Sequence, residues 1–252
     1  MKNIIITGGP TNEYIDEIMK ITNMSTGSLS TALSECFLRV GYRVFAIFNH
    51  SVNIEKIGKI MSGQVVAADA FRHYGVETTE DMINAFGQVK KDMEAEGIQC
   101  DAVIHAAAVG DYKGEFTFLL EDLAEELFAA KDSAKSAADF LAIMENPKCK
   151  LNDDTKISSY QKNLTAKLTL TPKVIASLRD MFPDSLLVGC KLLEGVSKDE
   201  LYEVAARLAA KNRMDYILAN DLADLRHGRM SRHLCTPEGF TGIELAAPED
   251  VF

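Results

Sequence analysis

With 252 residues, 47% of them hydrophobic and 25% charged, the chain is long enough to bury one large α/β core and too apolar to be a disordered or fibrous segment. A formal net charge of −10, with no polybasic run, argues against a nucleic-acid surface as the main partner, although an acidic protein can still bind phosphate locally. The five scattered cysteines form no C-x-x-C pair or zinc spacing, and no run approaches the ~18 apolar residues of a membrane helix; with an N-terminus that runs straight into a strand, these features suggest a reduced, cytoplasmic protein.

Residues 3–7 form a short apolar run stopped by Gly8, Gly9 and Pro10, as expected of a buried parallel strand that opens into a loop at its carboxyl end. That edge is where open α/β sheets hold ligands. The double glycine is no dinucleotide fingerprint, because no G-x-G-x-x-G follows, and a plain tight turn is an equal reading. Residues 10–20 read as an irregular loop carrying Thr11, Glu13 and Asp16. The next stretch, 21–29, is polar, contains Asn23, Ser25, Thr26 and Gly27, and lies just ahead of an amphipathic helix. Small donors and open backbone N–H groups at a helix start suit an anion, so this is a candidate phosphate loop.

Leu29, Ala32, Leu33, Cys36, Phe37 and Val40 recur at helical spacing up to Gly41, and residues 42–48 read as a second strand. The result is a β-loop-α-β unit of the Rossmann type. Residues 64–68 read as a third strand. A helix starting at Thr79 and ending near Glu96 buries Met82, Ala85, Phe86, Val89 and Met93. Residues 101–109, apolar throughout, predict a strand covered on both faces that runs into Gly110, Asp111 and Tyr112. Residues 116–150 read as an excursion with one or two helices, and 115–155 as an inserted helix and flap segment within a single domain spanning 1–252.

Residues 164–170 alternate as a half-exposed strand, and Thr171 and Pro172 cap a helix to about Met181, with proline at its first position. Residues 186–191 and 215–221 are further core strands, separated by a helix that Ser197 and Glu200 open as a capping box. A hairpin over 233–245 and a possible helix start at Pro248 end the chain. The predicted class is a doubly wound, mostly parallel α/β sheet with a C-terminal β-hairpin and a helical insertion.

Three polar clusters follow apolar strands: Gly8-Gly9 with the 21–29 stretch, Gly110-Asp111-Tyr112, and Asn220-Asp221. In a parallel sheet all three emerge at one edge and can form a site, but residues of these types also simply end strands, and the pattern alone does not choose. Lys156 and Lys191 are the cations placed to meet a triphosphate, Lys191 because it interrupts a core strand. His105, on an apolar strand, reads as a satisfied core residue; there is no H-E-x-x-H, no G-x-S-x-G and no Walker A sequence.

Seven motifs carry a family resemblance: Gly8-Gly9 with Thr11, Glu13, Ile15 and Asp16; residues 22–27; residues 106–112; Lys156-Ile157-Ser158-Ser159; residues 171–175; residues 189–193; and residues 219–222. In this order they make the chain resemble the phosphopantothenate-cysteine ligases (phosphopantothenoylcysteine synthetases) in their stand-alone bacterial form. The resemblance implies a modified Rossmann-like fold, a cytoplasmic homodimer without nucleic-acid or membrane partners, and coenzyme A biosynthesis as the setting. It implies that a nucleoside triphosphate, CTP in preference to ATP, with Mg²⁺, activates 4'-phosphopantothenate as an acyl-nucleotide that L-cysteine then opens. Asn23 would hold the substrate phosphate and acyl intermediate with Ala107, Ala108 and Asp111. Gly8, Gly9, Ser25, Thr26, Gly27, Cys190, Lys191 and Asn220 would hold the nucleotide, and Lys156 would sit on a flap near the reacting phosphate. No protein metal ligands are implied.

Some positions depart from the family. An arginine that reaches the partner subunit's substrate is Met19 here, with Lys20 as a substitute charge; an aromatic beside the base is Cys190; a glycine beyond Gly27 is Ser30; and Pro10 looks inserted. Two other readings stand beside the ligase. One is an NAD(P)-dependent oxidoreductase on the same fold, disfavoured by the missing G-x-G-x-x-G. The other is a catalytically degenerate paralogue that binds nucleotide without turnover, for which Met19 and Cys190 speak.

Overall fold

The first strand, β1 (Asn3–Gly8), is buried along its whole length, as a strand must be when both faces of its sheet are covered. The computed structural model describes residues 1–63, 67, 69–151, 157, 158, 160–229 and 231–251. After β1 come β2 (Asn12–Tyr14), β3 (Lys20–Thr22), α1 (Ser28–Arg39), β4 (Arg43–Asn49), α2 (Glu55–Gly63), β5 (Phe71–Val76) and α3 (Thr79–Ala95). The middle of the chain forms β6 (Ala102–His105), β7 (Tyr112–Leu119), α4 (Leu120–Ala129), α5 (Ala137–Glu145) and β8 (Leu164–Leu170). The last part forms α6 (Val174–Met181), β9 (Leu186–Leu193), α7 (Lys198–Asn212), β10 (Tyr216–Asp221), α8 (Leu222–Arg226), β11 (Arg232–Thr236), β12 (Gly239–Leu245) and a 3-10 turn at Pro248–Val251. These elements fall into two units, one of Met1–Thr11, Asn23–Val109 and Pro172–Phe252, the other of Asn12–Thr22 and Gly110–Thr171.

The first unit holds an eight-stranded sheet in the order β12-β11-β10-β9-β6-β1-β4-β5. The strands from β5 to β10 pair in parallel, and β11 and β12 add an antiparallel hairpin. From β1 the chain winds outward through β4 and β5, then returns to the other side through β6, β9 and β10, so the order reverses between β1 and β6. The pleat of β1 sends Ile4 and Ile6 towards Leu33, Phe37 and Ile57 of α1 and α2. Ile5 goes to the opposite face, with Phe86, Leu178 and Leu201 of α3, α6 and α7. The doubly wound, mostly parallel class with a C-terminal hairpin is the architecture observed.

Close approach of α1 to β1 depends on missing side chains. A Cβ on Gly8 would stand 2.5 Å from both Cβ and Oγ of Ser30. One on Gly27, whose φ is 70°, would meet Val52 at 2.7 Å and the Gly9 nitrogen at 3.2 Å. Two longer helices are capped by side chains: Thr78 and Asp81 form a reciprocal box on α3, and the Ser197 hydroxyl accepts the Glu200 N–H on α7. At the sheet's end the β11–β12 ladder slips between His233 and Cys235, and Gly242 of β12 has φ 83°.

In the second unit β7 and β8 pair antiparallel, with a register shift between Gly114 and Phe116. Phe116, Phe118 and Leu123 form its small core. The β2–β3 hairpin is closed by Asp16, whose Oδ1 accepts the N–H groups of Ile18 and Met19 at 2.7 and 2.5 Å while its Oδ2 accepts that of Ile157 at 3.0 Å.

Several elements differ from the sequence expectation. The strand beside β4 is Phe71–Val76; of the segment expected to form it, Gln64, Val65, Val66 and Ala68 lie outside the described residues. The 101–109 run is a strand only to His105, because the Ala108 N–H turns to the Gly9 carbonyl at 2.9 Å. Residues 12–22 form a hairpin where an irregular loop was expected, so the expected phosphate loop begins on the last strand residues, Ile21 and Thr22. Residues 112–119 are a strand, not the start of a helical excursion, since they find a partner in β8. Helix α6 starts at Val174 with Lys173 as its cap residue, which leaves Pro172 ahead of the helix. The helices α2 and α8 were not foreseen.

Gly8→Ala should cost roughly 1–3 kcal/mol in urea unfolding, the usual penalty of overpacking, and the Gly8→Ala/Ser30→Gly double variant should recover much of it because it removes the atoms that collide. Equal losses in the two variants would contradict this packing.

Candidate functional site

The carboxyl ends of β1 and β6 flank the point where strand order reverses, the crevice in which sheets of this kind bind ligands. Thr7, fully buried at the end of β1, organises it. Its carbonyl accepts the Ser30 hydroxyl at 2.9 Å, and its Oγ1 accepts the Ala107 N–H at 3.0 Å. The same Oγ1 lies 2.9 Å from His105 Nδ1. A hydroxyl has two acceptor lone pairs and one proton, so beside the Ala107 N–H it can serve either tautomer of the ring. Burial drives the His105 pKa down to about 4, and the ring packs edge-on to Phe86 at 6.2 Å. His105 is therefore a neutral, satisfied core residue at pH 7, as its position on an apolar strand suggested.

Past the sheet edge the two chain ends continue together. The Ala108 N–H donates to the Gly9 carbonyl at 2.9 Å and the Thr11 N–H to the Ala108 carbonyl at 3.3 Å. Asn23 fastens the returning chain to them: its Nδ2 donates to the carbonyls of Ala108 and Val109 at 3.3 and 3.1 Å. Four residues on, Gly27 takes the left-handed conformation as the cap residue of α1; having no side chain it caps nothing itself, and the Thr26 hydroxyl accepts the Ser28 N–H at 3.4 Å. The positive end of the helix dipole is thus presented beside Asn23, Ser25 and Thr26. Gly8, Gly9, Asn23, Gly27, Ala107 and Ala108 are brought together here, in one arrangement able to receive an anion from backbone N–H groups.

Cys190, Lys191 and Asn220 lie at the same edge of the sheet, on β9 and β10, but the pleat separates them. Cys190 follows Val188 onto the face covered by α1 and α2. Its thiol sits among apolar groups that push its pKa up to about 12, which makes it a packing residue and a poor nucleophile. Lys191 pairs in register with Ala219 and so faces the α3, α6 and α7 side. Asn220 pairs with Leu192, on the Cys190 face. The neighbouring Asp221 is a structural clamp: it accepts the N–H groups of Gly195, Val196 and Ala223 at 3.1, 3.2 and 2.7 Å, and these bonds hold its pKa below the carboxylate range.

Lys20 and Asp111 belong to the second unit. Lys20 is exposed at the start of β3. The Asp111 carbonyl accepts the Thr171 N–H at 3.0 Å and the Gly110 carbonyl accepts its hydroxyl at 2.5 Å. Lys156 lies outside the described residues. Sequence reasoning passed over Thr7 and Val52, and singled out Ser30 only as a departure from a family glycine. Only Thr7 left a signal, a hydroxyl at the last position of an otherwise apolar strand.

Residues 1–118 match the family model described as the DNA/pantothenate metabolism flavoprotein C-terminal domain. The chain is similar to the coenzyme A biosynthesis bifunctional protein CoaBC of Thermococcus kodakarensis, at 28% identity over 88% of this chain and 41% of that protein. The corresponding proteins of Methanocaldococcus jannaschii and Bacillus subtilis match at 24% and 26% identity. The chain thus spans about two-fifths of the length of these relatives. In fold it is like the DNA/pantothenate metabolism flavoprotein from Streptococcus pneumoniae, with a TM-score of 0.73 at 24% identity over 100% of this chain and 95% of that one. It is also like a Cab2 variant in complex with phosphopantothenate-cysteine, with a TM-score of 0.66 at 15% identity over 99% of this chain and 83% of that one.

His105 makes stability depend on pH. Unfolded, its imidazole takes up a proton near 6.5; folded, only near 4. Between those values the unfolded chain binds more protons, so stability present above pH 6.5 is lost as the pH falls towards 4, by on the order of 3 kcal/mol from this group. His105→Asn, which keeps an acceptor for Thr7, should flatten that part of the Tm-against-pH curve.

Proposed function

We propose that the chain is a ligase that joins 4'-phosphopantothenate to L-cysteine in coenzyme A biosynthesis, at the expense of a nucleoside triphosphate that leaves as monophosphate and pyrophosphate. The observation that carries this reading is the Asn23 amide fastened to the Ala108 and Val109 carbonyls beside the glycine-capped start of α1. It sets a polar side chain and a helix's positive end in one crevice, where two phosphate-bearing substrates can be aligned. The similarity of residues 1–118 to a pantothenate-metabolism family supports it, as do the names of the curated relatives.

In the first step the substrate carboxylate attacks the α-phosphorus, the bond to the bridging oxygen breaks, and pyrophosphate departs. In the second the cysteine amine attacks the acyl carbon, loses a proton, and expels the nucleoside monophosphate. Asn23 orients the acyl group, with Ala107, Ala108 and Asp111 on the substrate. Gly8, Gly9, Ser25, Thr26 and Gly27 cradle the triphosphate, Asn220 meets the nucleoside at the sheet edge with Cys190 packed behind it on the same face and Lys191 reaching round from the other, and Lys156 meets the charge that develops on the reacting phosphate. Most of the rate then comes from alignment and fixed dipoles.

Among the described residues no three His, Cys, Asp or Glu side chains gather around one point. In this reading Mg²⁺ would be carried by the triphosphate oxygens. The ion supplies charge neutralisation on the phosphates. CTP is the preferred nucleotide in this reading, the protein is a cytoplasmic homodimer, and Lys20 takes the place of a phosphate-contacting arginine. A single domain, with 115–155 as its inserted helix and flap segment, completes the proposal.

Pyrophosphate release should require both 4'-phosphopantothenate and CTP or ATP, and amide formation should require cysteine as well. Asn23→Asp, which places a negative charge in the crevice, and Lys156→Gln should each lower kcat by about 10²-fold or more without moving Tm by more than a few degrees. Nucleotide binding without turnover would favour the degenerate paralogue, and tight NADPH binding the oxidoreductase.

A further inference from the structure

In this chain of net charge −10 the arginines are almost all tied to carboxylates. Arg43 pairs with Asp69, Arg72 with Glu96, Arg179 with Asp215, Arg213 with Asp180, Arg226 with Glu194 and Arg229 with Asp224. Arg39 has no such pair: among the described residues its side chain forms no ion pair or hydrogen bond, and neither do those of Lys56 and Lys59. These three cations line a single cleft of about 380 Å³ in the first unit, together with Glu35, Ile60 and Gly63.

The helical spacing explains the convergence. Lys56, Lys59, Ile60 and Gly63 share one face of α2, and Glu35 and Arg39 lie one turn apart on α1. Ile60 is buried and forms part of the cleft's apolar wall. A cation in the last turn of α1 complements that helix's negative end, which accounts for Arg39 alone. It does not account for two lysines on a second helix that face the same cleft. Three cations against one carboxylate leave an excess of positive charge whose mutual repulsion a multivalent anion relieves. The guanidinium fork and two ammonium groups are the donors that recognise phosphate oxygens.

We propose that the α1–α2 cleft is a second anion site, for a multivalent phosphate of the pyrophosphate class, separate from the crevice at the ends of β1 and β6. The site does not rest on the ligase reading. Its affinity falls with ionic strength, since all three cations are partly open to solvent.

Backbone amide shifts recorded while inorganic pyrophosphate is added test it. Saturable shifts over residues 35–39 and 56–63 are expected in the native protein. In Lys56→Gln/Lys59→Gln they should saturate at about tenfold or more higher pyrophosphate, with Tm unchanged because both side chains are exposed. Asn23→Asp should leave the affinity of these amides as it was, which separates this site from the crevice. Shifts that stay linear to roughly 10 mM, an unchanged affinity in the double variant, or loss of the response in Asn23→Asp would each overturn the proposal.

Discussion

Everything at the ligand edge of the sheet hangs on Thr7. A β1 residue without a hydroxyl would leave the Ala107 N–H and His105 Nδ1 without their partner in the core, and buried polar groups in that state cost about 1–3 kcal/mol each. Through its carbonyl the same residue holds Ser30, and through Ser30 the first turn of α1. Two strand ends and one helix start are thus set by three hydrogen bonds around one residue, two at its hydroxyl and one at its carbonyl. The positions of Gly9, Ala108 and Asn23 follow from that arrangement.

The expected phosphate loop itself contains no lysine or arginine between Ile21 and Ser30. The loop's own attraction for an anion comes from backbone N–H groups, its small polar side chains and the α1 dipole, which contributes about 0.3–1 kcal/mol at exposed ends and up to ~2 in partly buried geometry. Dipoles fall off faster than charges, so the helix start has to be close and fixed. Gly9 and Gly27, packed around Val52, supply that closeness. Ser30 stands where the resembled family carries glycine, and it is accommodated because Gly8 opposite it has no side chain.

Long periodic elements were legible from residues alone: α1, α3, α7, the strands β1, β4, β9 and β10, and the final hairpin. Their burial is decided by one local pattern facing one core. The misread elements were decided by partners far away in sequence. β7 looks like part of a helical excursion until Leu164–Leu170 is available to pair with it. β5 carries Arg72, His73 and Gly75, a poor apolar run, and is a strand because β4 needs a neighbour on its open side. Within the site, the glycines, Asn23 and the alanines after β6 were legible as strand-end polar residues. The Thr7 bonds were not, because a single hydroxyl in an apolar run has no periodicity. Nor was the split of Cys190 and Lys191 onto opposite faces drawn from the alternation that implies it.

The last hairpin bears on how the protein behaves in concentrated solution. β12 is the sheet's outermost strand, mostly exposed, with its ladder to β11 out of register at one point and a left-handed glycine at Gly242. A straight, regular outer strand would offer its free amides and carbonyls to another chain, and copies could stack into fibrils by continuing the sheet. The slip, the kink at Gly242 and the charge of Glu244 spoil that template. Resistance to sheet extension at this edge is therefore written into a slip, one glycine and one carboxylate.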